Sequence, residues 1–160
     1  MTEEARPSPP LRRTERSLPI ALLRARETVM APIREMLATS GINEQKWRVL
    51  RVLQERGPSE LTLVAKDACL LLPSLTRIIR AMEEEGLITR QSDPEDRRKA
   101  IAAITPEGER LIRDHSRESA AIFARLERDF GRERLETLLD LLEGLQKLNL
   151  SAPTAASGDQ

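Results

Sequence analysis

The stretch from residues 70–106 constrains the fold most, because two different structural periods follow one another within it. Residues 73–85 place apolar side chains at the spacing of an amphipathic helix, which a proline opens and a glycine ends. Residues 87–91 and 99–104 are short segments that predict two strands. The loop 92–98 between them, SDPEDRR, combines acidic residues with two adjacent arginines. This order of helix, strand, charged loop and strand predicts a helix packed beside a small β-hairpin.

Hydrophobic periodicity predicts that most of the remaining chain is helical. Apolar side chains recur every three or four residues in five further segments, as they do on one face of an α-helix. These segments are residues 18–38, 44–56, 59–68, 105–130 and 132–149. Asn43 and Ser59 are expected to cap the second and third helices. Pro32 is expected to kink the first helix near residue 28.

These elements together predict a mainly α fold with a small β-wing. Residues 43–104 form a winged helix-turn-helix, an architecture that reads duplex DNA. Residues 18–42 and 105–150 form a helical dimerisation region, because the last helix carries leucines on a surface too apolar to leave in water. Residues 1–17, which contain three prolines, and residues 151–160 are expected to be a disordered arm and a disordered tail.

Composition limits the classes of function that remain. The chain has 26 basic and 26 acidic residues, so any attraction for nucleic acid must come from a local cluster. One cysteine excludes an internal disulfide and suits a reducing cytoplasm. No apolar run is long enough to span a membrane. Because the sequence has no metal-ligand spacing, phosphate loop or catalytic constellation, we expect a cytoplasmic protein without metal or cofactor that is not an enzyme.

The polar face of the fourth helix carries the first candidate DNA contacts. At about 100° per residue, Thr76, Arg77 and Arg80 lie opposite the apolar stripe, and Ser74 lies in the first turn. Arginine can form two hydrogen bonds with guanine, and serine or threonine can contact a phosphate or a thymine methyl group. The alternative is a solvated polar face on an ordinary helix.

The loop of the predicted wing carries the second group of candidates. The negative charge of its acidic residues would cancel the positive charge of its basic residues if each side chain were simply solvated. We expect instead that Asp96 orients an arginine outward through a charge-assisted hydrogen bond. An arginine at a wing tip suits the minor groove, whose negative potential is greatest where it is narrow. The alternative is a salt-bridged hairpin that does not touch DNA.

The order of elements and several motifs resemble the MarR family of winged-helix regulators. The run DPEDRRK followed by AAITPEG is typical of that family. The runs SLPIALLRARETVM, INEQKWRVLRVL and ACLLLPSLTRIIRAMEEEGLITR resemble its homoprotocatechuate-degradation operon regulator subgroup, and the resemblance covers residues 18–149. It implies that Arg98 enters the minor groove, that Asp96 orients it and that Arg97 lies beside a phosphate.

The resemblance also implies the partners of the protein. Members of the family are homodimers joined by their first and last helices, and each protomer presents one winged helix. Twofold symmetry then requires a pseudo-palindromic operator in double-stranded DNA. Small phenolic or aromatic carboxylic acids are common ligands in the family, and their binding usually relieves repression.

Four residues are candidates for binding such an acid. Arg26 falls within the apolar stripe of the first helix, where a buried guanidinium needs an anion, and Arg24 lies on the polar side. Trp47 lies at the edge of the buried face of the second helix, next to Arg51, and is placed to stack on an aromatic ring. The alternatives are a structural ion pair for Arg26 and plain core packing for Trp47.

His115 and Cys69 each have a structural and a functional interpretation. His115 lies on the apolar face of the fifth helix, where a hydrogen-bonded core residue is favoured over a switch. Cys69 precedes three leucines, so a small buried hydrophobe is favoured over a redox sensor. The sequence thus predicts a dimeric repressor of aromatic catabolism genes that responds to a small aromatic acid. Two alternatives stay open: a thiol-redox regulator acting through Cys69, and a winged-helix module that binds proteins.

Overall fold

The structure, a computed structural model, describes residues 13–150. A short 3-10 helix at Thr14–Arg16 precedes the main elements. The helices are α1 (Leu18–Ala38), α2 (Glu44–Arg56), α3 (Leu61–Asp67), α4 (Leu72–Glu84), α5 (Pro106–Phe130) and α6 (Arg132–Gln146), and the strands are β1 (Ser59–Glu60), β2 (Ile88–Ser92) and β3 (Ala100–Ile104). This arrangement confirms the predicted mainly α fold with a small β-wing.

The chain divides into two compact units, of which the first ends at Ser119 and the second begins at Ala120. The core of the first unit is aliphatic and comes from α1 to α4 and the sheet. Its largest fully buried side chains are Met36, Leu37, Val49, Leu50, Leu53, Val64, Leu75, Ile79, Met82 and Ile88. Each such burial contributes roughly 1.5–3 kcal/mol relative to an exposed side chain, which stabilises the helix-turn-helix within a single chain.

The ends of α2 and α4 follow the local signals in the sequence. The side chain of Asn43 accepts a hydrogen bond from the Lys46 N–H at 2.9 Å, so Asn43 is the predicted cap of α2. In α4, Pro73 lies in the first turn, and Gly86 follows the helix with a φ of 73°, a conformation that favours glycine. The bounds of both helices therefore agree with the sequence prediction to within one residue.

The small sheet differs from the prediction at its edge. Its order is β1-β3-β2, and both pairs are antiparallel. Ser59 was expected to cap α3, but this prediction is wrong, because Ser59 pairs with Ala102 of β3 and Glu60 takes the cap position. A strand of two residues has no periodicity of its own and exists only through its distant partner.

The start of α5 is fixed against the base of the wing by Thr105 and Gly108. The Thr105 hydroxyl donates to the Gly86 carbonyl at 2.7 Å and accepts the Gly108 N–H at 3.1 Å. A Cβ on Gly108 would collide with the Leu87 carbonyl oxygen and lie 2.8 Å from a side-chain carbon of Ile104. The TPEG run therefore needs threonine for its two hydrogen bonds and glycine for the close approach.

The remaining boundaries shift by a few residues. α1 is continuous across Pro32, and the kink expected near residue 28 stays a prediction. α6 ends at Gln146 rather than at residue 149. Within the predicted arm, residues 14–16 are helical, and residues 1–12 lie outside the described part of the chain, as does the predicted tail at 151–160.

Candidate nucleic-acid interface

The outer face of α4 presents two arginines without partners. Leu75, Ile79 and Met82 are fully buried, which turns the opposite face of the helix outward. Arg77 and Arg80 are exposed there, and neither side chain forms an ion pair or hydrogen bond with any residue that the structure describes. An unpaired exposed guanidinium keeps all its donors available for phosphate or a base edge.

Ser74 and Thr76 lie in the first turns of the same helix and are partly buried. The Thr76 hydroxyl donates to the Leu72 carbonyl at 3.0 Å, so the helix backbone already uses this donor. Within the described residues, no side chain caps the start of the helix, where Leu71 occupies the cap position. The structure thus brings all four candidates of this helix into the same unit, with the arginines on its outer side.

The wing loop holds Asp96 and Arg98 in one local arrangement. The Asp96 carboxylate accepts hydrogen bonds from the Arg98 backbone N–H at 3.1 Å and from its Nε and Nη2 at 3.1 and 3.4 Å. These bonds, the side-chain bonds first, lower the pKa of Asp96 below its usual value. The Arg98 side chain nevertheless remains 91% exposed. The predicted hydrogen bond between Asp96 and an arginine is therefore present, and its role in DNA binding stays a prediction.

Two further contacts shape the wing around this pair. The Asp93 carboxylate accepts the Glu95 N–H at 2.8 Å, which turns the chain at the tip. At the base, Lys99 donates to Glu60 of β1 at 3.1 Å, and this contact raises the pKa of Lys99. Arg97 is exposed and has no ion pair within residues 13–150. Lys99 is thus used inside the protein, while Arg97 and Arg98 face solvent.

Arg26 does not have the environment that the sequence suggested. Its side chain is 49% exposed, so the expectation of a buried guanidinium is wrong for the single chain. Nη2 donates to Glu44, whose second oxygen accepts from Arg34 at 3.4 Å. Burial opposes ionisation of Glu44, but Arg26, together with Arg34 and Arg48, holds its pKa below the usual value. The anion that Arg26 needs is supplied by Glu44, as the structural alternative predicts.

The other ligand candidates lie along α2 and on α1. Trp47 is 9% exposed, and its ring meets the His115 ring edge to face at 5.9 Å between centroids. Arg51 donates to Gln54 at 3.0 Å and to Glu55 at 2.6 Å. The Arg24 side chain is exposed and has no ion pair in the described part of the chain. Only part of the Trp47 surface is free, because the core takes the rest.

His115 is a hydrogen-bonded core residue, as the sequence favoured. It is 6% exposed, and its Nε2 shares a hydrogen bond with the Ser40 hydroxyl at 2.8 Å. A cleft of about 460 Å³ borders it and is also lined by Glu107, Asp114 and Glu118. Three carboxylates would repel an acid, so this cleft does not suit an anionic ligand.

Comparison with known proteins shows which family the chain belongs to. The MarR family profile matches residues 42–100. The homoprotocatechuate degradative operon repressor of Escherichia coli is 35% identical over 143 residues, which cover 89% of this chain and 97% of that protein. The regulator FarR of Neisseria gonorrhoeae is 36% identical over 132 residues, with 82% and 90% covered. The chain belongs to the MarR family.

A solved MarR-type structure supports the same assignment. NadR in complex with 4-hydroxyphenylacetate is 35% identical to this chain, with a TM-score of 0.76, and the match covers 88% of this chain and 99% of NadR. The MarR family and these relatives are transcriptional regulators rather than enzymes, and their shared fold is a DNA-binding winged helix. The chain is therefore a MarR-type transcriptional regulator, and both the predicted family and fold are confirmed.

Sequence reasoning missed two features of this MarR protein. Glu44 was not singled out, although an acidic residue in the first turn of α2 was a visible signal for an arginine partner. The Nε of Arg48 is buried and has no partner in the described residues. By helical spacing, Glu44, Trp47, Arg48 and Arg51 follow one another along one side of α2.

Cys69 contradicts the interpretation that the sequence favoured. The residue is exposed rather than buried, and its φ is 51°, in the left-handed region. Its N–H donates to the Lys66 carbonyl at 3.2 Å, as the chain leaves α3. This turn of the backbone directs the side chain outward, although the neighbours in sequence are apolar.

Two other kinds of feature are absent from residues 13–150. No helix there is both long enough and apolar enough to cross a membrane. The same residues contain no group of three or more histidine, cysteine, aspartate or glutamate side chains that could hold a metal ion.

Proposed function

We propose that the protein is a homodimeric repressor that binds a pseudo-palindromic operator of aromatic catabolism genes and is released by a small aromatic acid. The exposed Arg98, held by Asp96 at the wing tip, carries the DNA part of this proposal. It adds to the unpaired Arg77 and Arg80 of α4, which are placed to reach base edges in the major groove. Arg98 itself suits a narrow minor groove.

The helical ends of the chain support a dimer. α6 contains no buried residue, and it leaves Leu138, Leu139 and Leu141 exposed. The first turns of α1 also expose leucines, including Leu22 and Leu23. Such apolar surface is normally covered in a soluble protein, and a second copy of the chain is the partner that the family resemblance implies.

The ligand proposal rests on Arg26 and on the names of two relatives. One relative is a repressor of an aromatic degradation operon, and another was crystallised with 4-hydroxyphenylacetate. We assign the carboxylate of a similar acid to Arg26, where it would replace Glu44 as the anion. Arg24 would add positive charge, and Trp47 and Arg51 would border the ring.

A change at Glu44 has a path to the DNA-reading helix. Lys46, two residues further along α2, pairs with Glu85 at the end of α4. The Lys46 side chain is only 16% exposed. Glu83 of α4 pairs in turn with Arg90 of β2 at 3.4 Å. A ligand that shifts the start of α2 would therefore bias the position of α4 and lower operator affinity.

The DNA part is tested by selecting 30-base-pair duplexes from a random pool with the full-length protein. The expected result is a sequence with twofold symmetry whose binding weakens steeply with salt. Arg77→Ala should lose about 1–3 kcal/mol of preference at one base pair of each half-site. Selection of no common sequence would refute the proposal and would favour a protein-interaction module.

The ligand part is tested by titrating the protein–DNA complex with 4-hydroxyphenylacetate. The neutral 4-hydroxyphenylacetamide is the matched control, since it lacks only the charge. Arg26→Met should lose most of the response to the acid, measured against the DNA affinity of the same variant without ligand. Full release of Arg26→Met by the acid, or equal release by the amide, would return Arg26 to a purely structural ion pair with Glu44.

The thiol-redox alternative keeps one supporting observation, the exposure of Cys69. If oxidation of this thiol releases DNA, hydrogen peroxide should weaken operator binding by the wild type but not by Cys69→Ser. Equal binding by both proteins after oxidation would remove this alternative.

A further inference from the structure

The start of α4 exposes leucines where the helix meets solvent. Leu71, at the cap position, is 77% exposed, and Leu72, the first residue of the helix, is 42% exposed. Pro73 follows and is also exposed. Exposing two adjacent leucine side chains to water costs free energy. Neither leucine belongs to the core of the first unit.

Thr76 extends this apolar surface by one turn. It lies four residues after Leu72, which places the two side chains next to each other on the helix. Its hydroxyl donates a hydrogen bond to the Leu72 carbonyl at 3.0 Å. The methyl group is then the part of the side chain that does not bond to the backbone. Helical spacing places the two leucines and Thr76 together at the start of α4, and we call this group of side chains the apolar rim.

The apolar rim is continuous with the cationic face of the same helix. Arg77 and Arg80, which have no partner within residues 13–150, follow it directly. Positive charge on this face favours a polyanion, and the first turns of a recognition helix lie closest to base edges in the major groove. Among the four bases, thymine alone presents a methyl group in that groove.

We propose that Leu71, Leu72 and the Thr76 methyl group read thymine in each half-site by contact with its 5-methyl group. This inference rests on the proposed function, since it names what the start of α4 recognises on the operator. Recognition is by apolar contact, and it requires no hydrogen bond from these three residues. The operator should therefore carry thymines opposite the start of α4 that uracil cannot replace.

The test uses duplexes selected by the full-length protein and then resynthesised with deoxyuridine for thymidine at one position at a time. This exchange removes only the methyl group. At the positions read by the apolar rim, wild-type affinity should fall about three- to fivefold per methyl group, as expected for one buried carbon. At other thymines the exchange should have no effect.

Variants show which side chains meet the methyl group. Leu72→Ala should bind the thymine and uracil duplexes equally at one position, because the contact is already lost. Leu71→Ala should do the same at the same or an adjacent position. Leu63→Ala is the matched control, because Leu63 is 44% exposed on α3 and should keep the full thymine preference.

Thr76 offers an isosteric pair of changes. Thr76→Val keeps the methyl group and removes the hydroxyl, so it should retain the thymine preference. Thr76→Ser keeps the hydroxyl and removes the methyl group, so it should lose the preference at one position. The opposite pattern would show that the hydroxyl, not the methyl group, contacts DNA.

Two results would overturn the inference while leaving the proposed function intact. The first is sequence-specific binding in which no thymine methyl matters. The second is a loss of affinity in Leu71→Ala and Leu72→Ala that is equal on thymine and uracil duplexes. That result would mean that the leucines contact protein and not the thymine methyl group. If no duplex sequence is selected at all, the proposed function and this inference fail together.

Discussion

The two units of the chain differ in where their apolar side chains find partners. In the first unit, α2 to α4 bury residues such as Leu50, Leu75 and Met82 completely. In the second unit, α6 has a leucine at every turn but buries none of them. The DNA-reading unit thus completes its core from one chain, whereas α6 presents a surface suited to something outside it. Stability and assembly should therefore respond to different substitutions.

The largest effect is expected where α6 is made polar. The double change Leu138→Asp and Leu139→Asp should weaken dimerisation roughly 30-fold or more, since it places charge in the centre of the apolar surface. Sedimentation velocity at micromolar concentration measures the shift from dimer to monomer. Leu63→Asp, which changes an equally exposed leucine in the first unit, should remain a dimer. A wild-type monomer, or an unchanged double variant, would contradict the comparison.

A smaller effect on the free energy of unfolding is expected from substituting one glycine in each unit. Gly108→Ala should lower the free energy of unfolding by about 1–3 kcal/mol, because the added Cβ meets the Leu87 carbonyl and Ile104. Apart from its two chain neighbours and the nearby backbone of its own helix, no atom of the described chain lies within 4 Å of a Cβ added to Gly144 of α6. Gly144→Ala should therefore add about 0.4–1 kcal/mol through the unfolded chain.

Urea denaturation at a fixed protein concentration measures both glycine changes. If Gly144→Ala destabilises the protein instead, a second copy must lie directly against that position, which would map the dimer contact. A Gly108→Ala variant as stable as the wild type would show that the base of the wing yields easily.

The smallest effect concerns the wing. Asp96→Ala should reduce operator affinity about three- to tenfold, although it removes a negative charge, because Arg98 loses its orientation. Glu95→Ala removes the same charge from an exposed side chain and should leave affinity unchanged or raise it. Equal gains in both variants would show that Asp96 acts only as a charge.

The same pair of variants has a defined pH dependence. The pKa of Asp96 is lowered by Arg98, so the contact is complete above the unfolded pKa near 4 and is lost only as pH falls through the lower folded value. The difference in affinity between Asp96→Ala and Glu95→Ala should therefore stay constant from about pH 5 to pH 8.

Local signals predicted much of the winged helix. Asn43 and Gly86 act where their side-chain and backbone preferences place them, and the apolar stripe of α4 is buried. The Asp96–Arg98 pair was also predictable, because its members lie two residues apart. What failed depends on distant parts of the chain. β1 exists only through β3, and the pairing of Arg26 with Glu44 spans 18 residues.

Two errors have a more general cause. A helical wheel gives the direction of Arg26 but not what lies opposite it, and the first half of α1 has little cover within the chain. Apolar neighbours in sequence suggested that Cys69 is buried, but its left-handed backbone turns it outward. Hydrophobic periodicity shows which way a side chain points from its helix. It does not show which groups surround that side chain in the folded protein.

The contact that orients Arg98 comes from Asp96, a residue of the same loop. Asp96 receives both the backbone N–H and the guanidinium of a residue two positions away, so the loop contains its own template. The orienting contact therefore depends on the sequence of the loop and not on a distant partner. If Arg98 contacts DNA as proposed, substitutions on the face of α4 can change the base preference while this contact is kept. New operators can in this way be acquired through a few substitutions in a single helix.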